Sequence, residues 1–248
     1  MKTNNTDFLV TKEYRFFEEF CEACKRDKYI GICFGPPGVG KTLSARHYSK
    51  WNEIEAIDPF SESSKYWPEL ADRKTVFYTA PVSNTPKKID DNLNDGFFKL
   101  RAAVYYSNKF KENEMGEENS CELVIVDEAD RLTLSSLEHL RDRYDQGNFG
   151  LIVIGMPGIE KKMSRYPQFY SRVGFSHPYN PLSEEEMEFV LQHHWEKLGL
   201  SLSLEDFTDK EAMASVIRVT AGNFRLVNRL FSQIQRIMKV NTLSSITK

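Results

Sequence analysis

The sequence predicts an α/β fold: a parallel sheet covered by helices, followed by a small all-helical domain. Three observations predict it. Short, nearly continuous apolar runs alternate with stretches of helical periodicity between residues 29 and 177, the pattern of strands buried on both faces and joined by crossover helices. A glycine-rich turn at 35–42 separates the first apolar run from a helix. After Pro181 the short apolar runs cease and only helical periodicity remains.

Tyr14, Phe17, Phe20, Cys21 and Cys24 recur at three-and-four spacing, which predicts an amphipathic helix over 11–25. Residues 29–34 form the first strand and 42–51 a helix. The polar and aromatic stretch 52–73, with Pro59 and Pro68, reads as an irregular connection. A second strand follows at 74–80. Leu93, Phe97, Phe98, Leu100, Ala103 and Val104 make a helix over 90–107, weakened by Gly96. Residues 108–120 are charged and read as an exposed linker. The third strand is 121–126, a helix covers 132–144, Gln146-Gly147-Asn148 breaks the chain, and 150–154 is the fourth strand. A short helix at 158–165 and a fifth strand at 173–177 complete the sheet.

Beyond Pro181, Ser183 with Glu186 and Thr208 with Glu211 have capping-box spacing, each ahead of an apolar periodic run. The last helix, near 223–239, aligns Val227, Leu230, Phe231, Ile234 and Met238. The expected division is a helical lead-in at 1–28, an α/β domain at 29–180 and a helical domain at 181–248, with the boundary near 179–182. A polar stretch at 241–248 ends where a further helix could begin. No internal repeat is visible.

The 248 residues are 40% hydrophobic, enough for a full core. With 33 basic and 36 acidic residues the net charge is −3, so no global field attracts nucleic acid or membrane, and any nucleic-acid contact must come from a local basic patch. The polar residues 1–7 carry no signal-peptide core, and no apolar run approaches the roughly 18 residues of a spanning helix. A cytoplasmic protein with no membrane partner is expected. Four cysteines do not make a disulfide scaffold, and Cys21 and Cys24 lack a second pair to complete a metal site, so they read as small residues one helical turn apart. His193 and His194, adjacent on a helix, cannot both face one ligand.

Chemistry enters at Gly35-Pro36-Pro37-Gly38-Val39-Gly40-Lys41-Thr42. In G-x-x-x-x-G-K-[ST], glycines let successive N–H groups turn inward around phosphate oxygens, and the following helix offers its positive end. Lys41 would reach the terminal phosphates of ATP and Thr42 would ligate magnesium. The Leu123-Val124-Ile125-Val126 strand delivers Asp127 and Glu128 to its C-terminal end, where open parallel sheets bind ligands. Asp127 would hold Mg2+ through water, and Glu128 would polarise an attacking water. Glu128-Ala129-Asp130 extends this to Asp-Glu-Ala-Asp, but the chain is too short for two helicase cores. Asp130 reads instead as a helix cap or as a residue orienting a neighbour.

These motifs, with the GLIVIGMPG stretch at 150–158, Ser171-Arg172-Val173 and Gly222-Asn223-Phe224-Arg225, resemble the AAA+ superfamily. Within it the chain is most similar, over about residues 8–240, to transposition regulator ATPases of the TnsC, TniB and MuB type. The resemblance implies a P-loop NTPase sheet with a small all-α lid, hydrolysis of ATP, and a homo-oligomeric ring or filament wound on duplex DNA that recruits a transposase or target-selection protein. Hydrolysis would drive disassembly. It further implies that Arg172, with Arg165 as second candidate, reaches a neighbour's terminal phosphate, and that Arg225 is the sensor 2 arginine of the lid, with Arg229 and Arg236 offering similar charge nearby. Thr85, Lys87 and Lys88, and Lys109 and Lys111 in the charged linker, are the candidate DNA phosphate contacts. Another AAA+ machine, such as a replication-initiation loader or secretion-associated ATPase, would share every motif. One position departs from the family: where the fourth strand ordinarily ends in a polar sensor 1 residue, Ile154 leads into Gly155 and Met156, and a thioether donates no hydrogen bond. Slow or partner-stimulated hydrolysis is the expectation, with a nucleotide-gated interaction module as its limiting case.

Overall fold

A computed structural model describes residues 8–56, 73–111, 121–198 and 207–241, without the side chains of 105–111, 207 and 208. The chain packs as two compact units, one made of residues up to Arg15, Pro36–Gly40 and Tyr179 onward, the other of Phe16–Gly35 and Lys41–Pro178.

The larger unit holds a five-stranded parallel sheet: β1 (Ile30–Phe34), β2 (Thr75–Thr79), β3 (Leu123–Asp127), β4 (Gly150–Gly155) and β5 (Val173–Pro178), in the order β2-β3-β4-β1-β5. β3 and β4 are buried at every residue, as uninterrupted apolar runs with helices on both faces require. The edge strand β5 alternates half-buried and exposed residues and ends at Pro178, whose missing N–H costs an edge strand little. Register sets Phe34 beside Gly155, Val126 beside Val153, and Asp127 beside Thr79. The C-terminal ends of β1, β4 and β3 are therefore neighbours.

The helix α1 (Lys12–Asp27) packs Phe17, Phe20, Cys21 and Cys24 fully or almost fully out of solvent. Burial pushes the Cys24 thiol up to about 12 and raises Cys21 as well, so both behave as core residues rather than as reactive thiols. The helix expected over 42–51 is two, α2 (Lys41–Tyr48) and α3 (Trp51–Glu55), because Lys50 adopts a left-handed conformation with φ 49° between them. The irregular connection expected over 52–73 thus begins as helix, and 57–72 lie outside the described residues. α4 (Pro86–Lys111) starts four residues earlier than the periodicity suggested: Thr85 Oγ1 accepts from Lys88 N at 3.3 Å and Pro86 takes the first helical position. It also runs later, so Lys109 and Lys111 belong to a helix and not to a linker. Gly96 sits inside α4 where a Cβ would lie 2.6 Å from Val76 Cγ1, so the residue that weakens the helix is what lets it lie against β2.

Between β3 and β4 the chain makes a 3-10 turn (Ala129–Arg131) before α5 (Leu134–Gln146), whose N-cap is Thr133, accepting from Ser136 N at 3.2 Å. The helix expected over 132–144 is present two residues later, and Asp130 is not its cap. α6 (Ile159–Ser164) and α7 (Pro167–Tyr170) precede β5.

The smaller unit is helical in its C-terminal part: α8 (Glu184–Lys197), α9 (Phe207–Thr220) and α10 (Phe224–Asn241). Leu182, Met187, Val190, Leu191, Trp195, Met213, Val227 and Phe231 form its core. The Ser183–Glu186 capping box is present in both directions. α9 already includes Phe207, which places Thr208 inside the first turn, and the Thr208 side chain of the second expected box lies outside the described residues. His194 stacks on Phe231 with ring centroids 4.8 Å apart, a packing role. Among the described residues no helix is long and apolar enough to cross a membrane.

Candidate functional site

In the sheet unit, β1 runs into Gly35 and α2 begins at Lys41. The Lys41 ammonium donates to Gly35 O at 2.6 Å, and burial lowers its pKa against the opposing pull of Cys33, Asp127, Glu128 and Asp130. Thr42 Oγ1 donates to Asp127 Oδ2 at 2.7 Å, while Asp127 Oδ1 accepts from Glu128 N at 2.9 Å. Asp127 is only 3% exposed, so burial raises its pKa while these two hydrogen bonds pull it down. Glu128 is half-buried and left-handed at φ 55°, a conformation costing a non-glycine residue about 1–3 kcal/mol. Arg131 lies 3.6 Å from its carboxylate and also donates to Ala80 O at 2.9 Å. The buried Asn84 side chain joins this segment to the end of β2, donating to Arg131 O at 2.7 Å and accepting from Thr133 N at 3.2 Å.

At the end of β4, between β1 and β3, Met156 is 39% exposed. Its backbone N–H donates to Asp130 Oδ2 at 2.7 Å, so Asp130 orients a neighbouring strand end. Lys162 anchors the same turn, donating to Asp130 O and Leu132 O at 2.7 and 2.9 Å.

Pro36–Gly40 pack with the helical unit. Gly38 and Gly40 have φ of +83° and +119°, open to glycine without strain. Asn223 Nδ2 donates to Pro37 O at 2.9 Å and Arg225 N donates to Gly38 O at 3.0 Å. Asn223 Oδ1 in turn accepts from Arg225 N and Leu226 N at 3.1 and 3.3 Å, capping α10. A Cβ on Gly38 would stand 2.5 Å from Asn223 Oδ1. The Arg225 side chain is exposed. The contact of Asn223 with the glycine loop was not read from the sequence, where only its adjacency to Arg225 was visible.

Residues 24–163 match the family model described as AAA domain. The chain belongs to the AAA domain family. This AAA protein is 44% identical over 263 aligned positions to a "Potential ATP-binding protein" of Staphylococcus aureus, covering 99% of this chain and 94% of that one. It is 23% identical over 234 positions to the Mu-like prophage FluMu DNA transposition protein B of Haemophilus influenzae, covering 91% and 71%. Among solved structures it resembles the Aeropyrum pernix ORC1 protein in complex with DNA (TM-score 0.61, 15% identity, 98% of this chain and 64% of that one) and the Thermotoga maritima RuvB Holliday junction branch migration motor (0.55, 14%, 97% and 66%). Those likenesses establish the fold. The chain spans about two thirds of the length of these two structures.

Within this AAA protein Arg172 belongs to a different cluster from Lys41 and Asp127. Arg172 is held by Asp145 of α5, Nε to Oδ1 at 2.5 Å and Nη2 to Oδ2 at 2.7 Å, and donates to Gln168 O. Arg165 is exposed and pairs with no carboxylate among the described residues. Thr85, Lys87 and Lys88 are exposed at the start of α4. Lys109 and Lys111 occupy its last turns, and their side chains are outside the described residues.

Proposed function

We propose that this AAA protein is an ATP-dependent DNA-binding regulator of transposition, which assembles on duplex DNA as a ring or filament and recruits or licenses a transposase. The observation that supports the ATPase half is the Thr42 hydroxyl on the buried Asp127 carboxylate beside Lys41. The similarity to a prophage DNA transposition protein B along 91% of the chain supports the other half.

In this reading Gly35, Pro36, Pro37, Gly38, Val39 and Gly40 present backbone N–H groups to the phosphates of ATP, Lys41 neutralises the terminal ones, and Glu128 takes the proton of the attacking water. A hydroxyl and a buried carboxylate at hydrogen-bond distance fit a hard cation: Thr42 and Asp127 would hold Mg2+, which supplies charge neutralisation on the phosphates. Arg225 faces the nucleotide of its own subunit, Arg172 that of a neighbour, and Thr85, Lys87, Lys88, Lys109 and Lys111 meet DNA phosphates. Met156 favours a slow variant of this cycle, because it offers only a backbone N–H at the sensor 1 position and Asp130 takes that N–H.

Negative-stain imaging with ATP or a slowly hydrolysed analogue and duplex DNA tests the proposal. Rings or filaments on DNA are expected, lost in Lys41→Ala, which cannot bind ATP, and more persistent in Glu128→Gln, which binds without hydrolysing. Monomers indifferent to DNA and nucleotide would refute it.

A further inference from the structure

The helix α10 has two chemically distinct faces. Val227 and Phe231 are buried in the core of the helical unit, and Phe224 and Ile234 pack against it. On the opposite side Arg225, Arg229, Ser232, Arg236 and Lys239 fall within about 80° of arc at roughly 100° per residue, and all five are exposed. No carboxylate pairs with any of the four cations among the described residues. The chain has 36 acidic residues against 33 basic ones, yet none of the acidic residues stands in this helix.

Helix energetics do not account for the stripe. The macrodipole favours anions in the first turn and cations in the last. Lys239 obeys this rule, whereas Arg225 and Arg229 stand near the N-terminal end, where α8 carries Glu184, Glu185 and Glu186. No i,i+4 ion pair accompanies the arginines, so each guanidinium is kept solvated by a helix that gains nothing from it. Ser232 turns its hydroxyl back onto Asn228 O at 2.8 Å, which leaves the gap between Arg229 and Arg236 low and uncharged.

We infer that Arg229, Arg236 and Lys239 form a sequence-independent contact for the phosphate backbone of duplex nucleic acid, distinct from the contacts at the start of α4. The inference rests on the DNA-binding reading above and leaves Arg225 to the nucleotide. From Arg229 to Lys239 the helix rises about 15 Å, the axial length of about four base pairs. Arginine forks match phosphate oxygens bidentately. A bilayer surface is the poorer fit, because an interfacial helix needs a broad apolar face for lipid, whereas α10 buries Val227 and Phe231 in the protein core and packs Phe224 and Ile234 against it, leaving Leu226, Ile237 and Val240 as its exposed large apolar residues.

The test is fluorescence anisotropy of a labelled mixed-sequence duplex with the full chain and ATP, titrated from about 50 to 200 mM salt. The Arg229→Gln/Arg236→Gln/Lys239→Gln variant keeps good helix formers. It should melt and bind ATP like wild type while the slope of log K against log salt shrinks in magnitude by about 2 to 3, near 0.9 per lost phosphate contact. Arg229→Lys/Arg236→Lys should keep most of the slope, which separates charge from folding. A wild-type slope and affinity in the triple variant would overturn the stripe and leave the DNA-binding reading standing. A wild-type protein that binds no duplex would remove both. Binding to anionic phosphatidylserine vesicles through these three cations, without duplex binding, would also overturn the assignment.

Discussion

At the scale of single residues, the departure at Met156 finds a partial substitute in Asp130. A polar side chain is missing where β4 ends, and a carboxylate from the neighbouring turn arrives there, taking Met156 N at 2.7 Å. That turn is itself held by Lys162 on two carbonyls. Asp130 is thus a positioning residue, fixing the peptide between the strand that leads to Gly35 and the strand that delivers Glu128. A hydrogen bond to a charged acceptor contributes about 1.5–3 kcal/mol. If that positioning is felt in the transition state, Asp130→Ala should lower the kcat for ATP by about 10- to 100-fold, with KM little changed. Asp130→Asn keeps an acceptor oxygen and should restore most of the rate. Steady-state ATPase assays in the presence of duplex DNA decide it: equal loss in both variants would mean that the negative charge matters, not the geometry.

At the scale of elements, Gly96 sets two effects of opposite sign against each other. Replacing a mid-helix glycine by alanine stabilises a helix by about 1 kcal/mol. Here the new methyl would stand 2.6 Å from Val76 Cγ1 on β2, with Trp51 also within 3.5 Å, and both neighbours are buried. Overpacking of this kind costs about 1–3 kcal/mol, so Gly96→Ala should be destabilising on balance, read as a lower urea midpoint with the slope unchanged. A gain in stability would mean that α4 can shift off the sheet. Periodicity carried the existence of α4 and each strand, and the loop and carboxylate motifs were legible because their chemistry is local in sequence. Strand order is not written in periodicity, so nothing in the sequence said that β4 lies between β1 and β3, and the meeting of Asp130 with Met156 followed only from that order. The same holds for Asn223 against Pro37, 186 residues apart, whereas the early start of α4 is written in Thr85-Pro86, ahead of the point where the apolar pattern begins.

At the scale of the whole molecule, the proposed assembly turns on whether Arg172 can leave Asp145. The pair is bidentate but about one third exposed on each side, and Asp145 keeps a second partner in Arg141 at 2.6 Å. An exposed pair of this kind contributes about 0–1 kcal/mol, whereas an arginine supplied to a transferring phosphoryl group is worth about 10^3–10^5 in kcat. The ion pair is therefore a weak resting place and no barrier to a contact with a neighbour. Arg172→Ala should change the melting of the protein little, leave ATP binding intact, and remove DNA-stimulated hydrolysis. Glu128→Gln should also be inactive, for a different reason: its arginine is present and its base is not. Mixing the two inactive variants creates interfaces at which the Glu128→Gln subunit lends Arg172 to a neighbour that still has Glu128, so hydrolysis should reappear in the mixture and vary with its ratio. If both variants bind ATP and assemble on DNA but the mixture stays silent, the arginine that completes the site is not Arg172, and Arg165 becomes the residue to replace next.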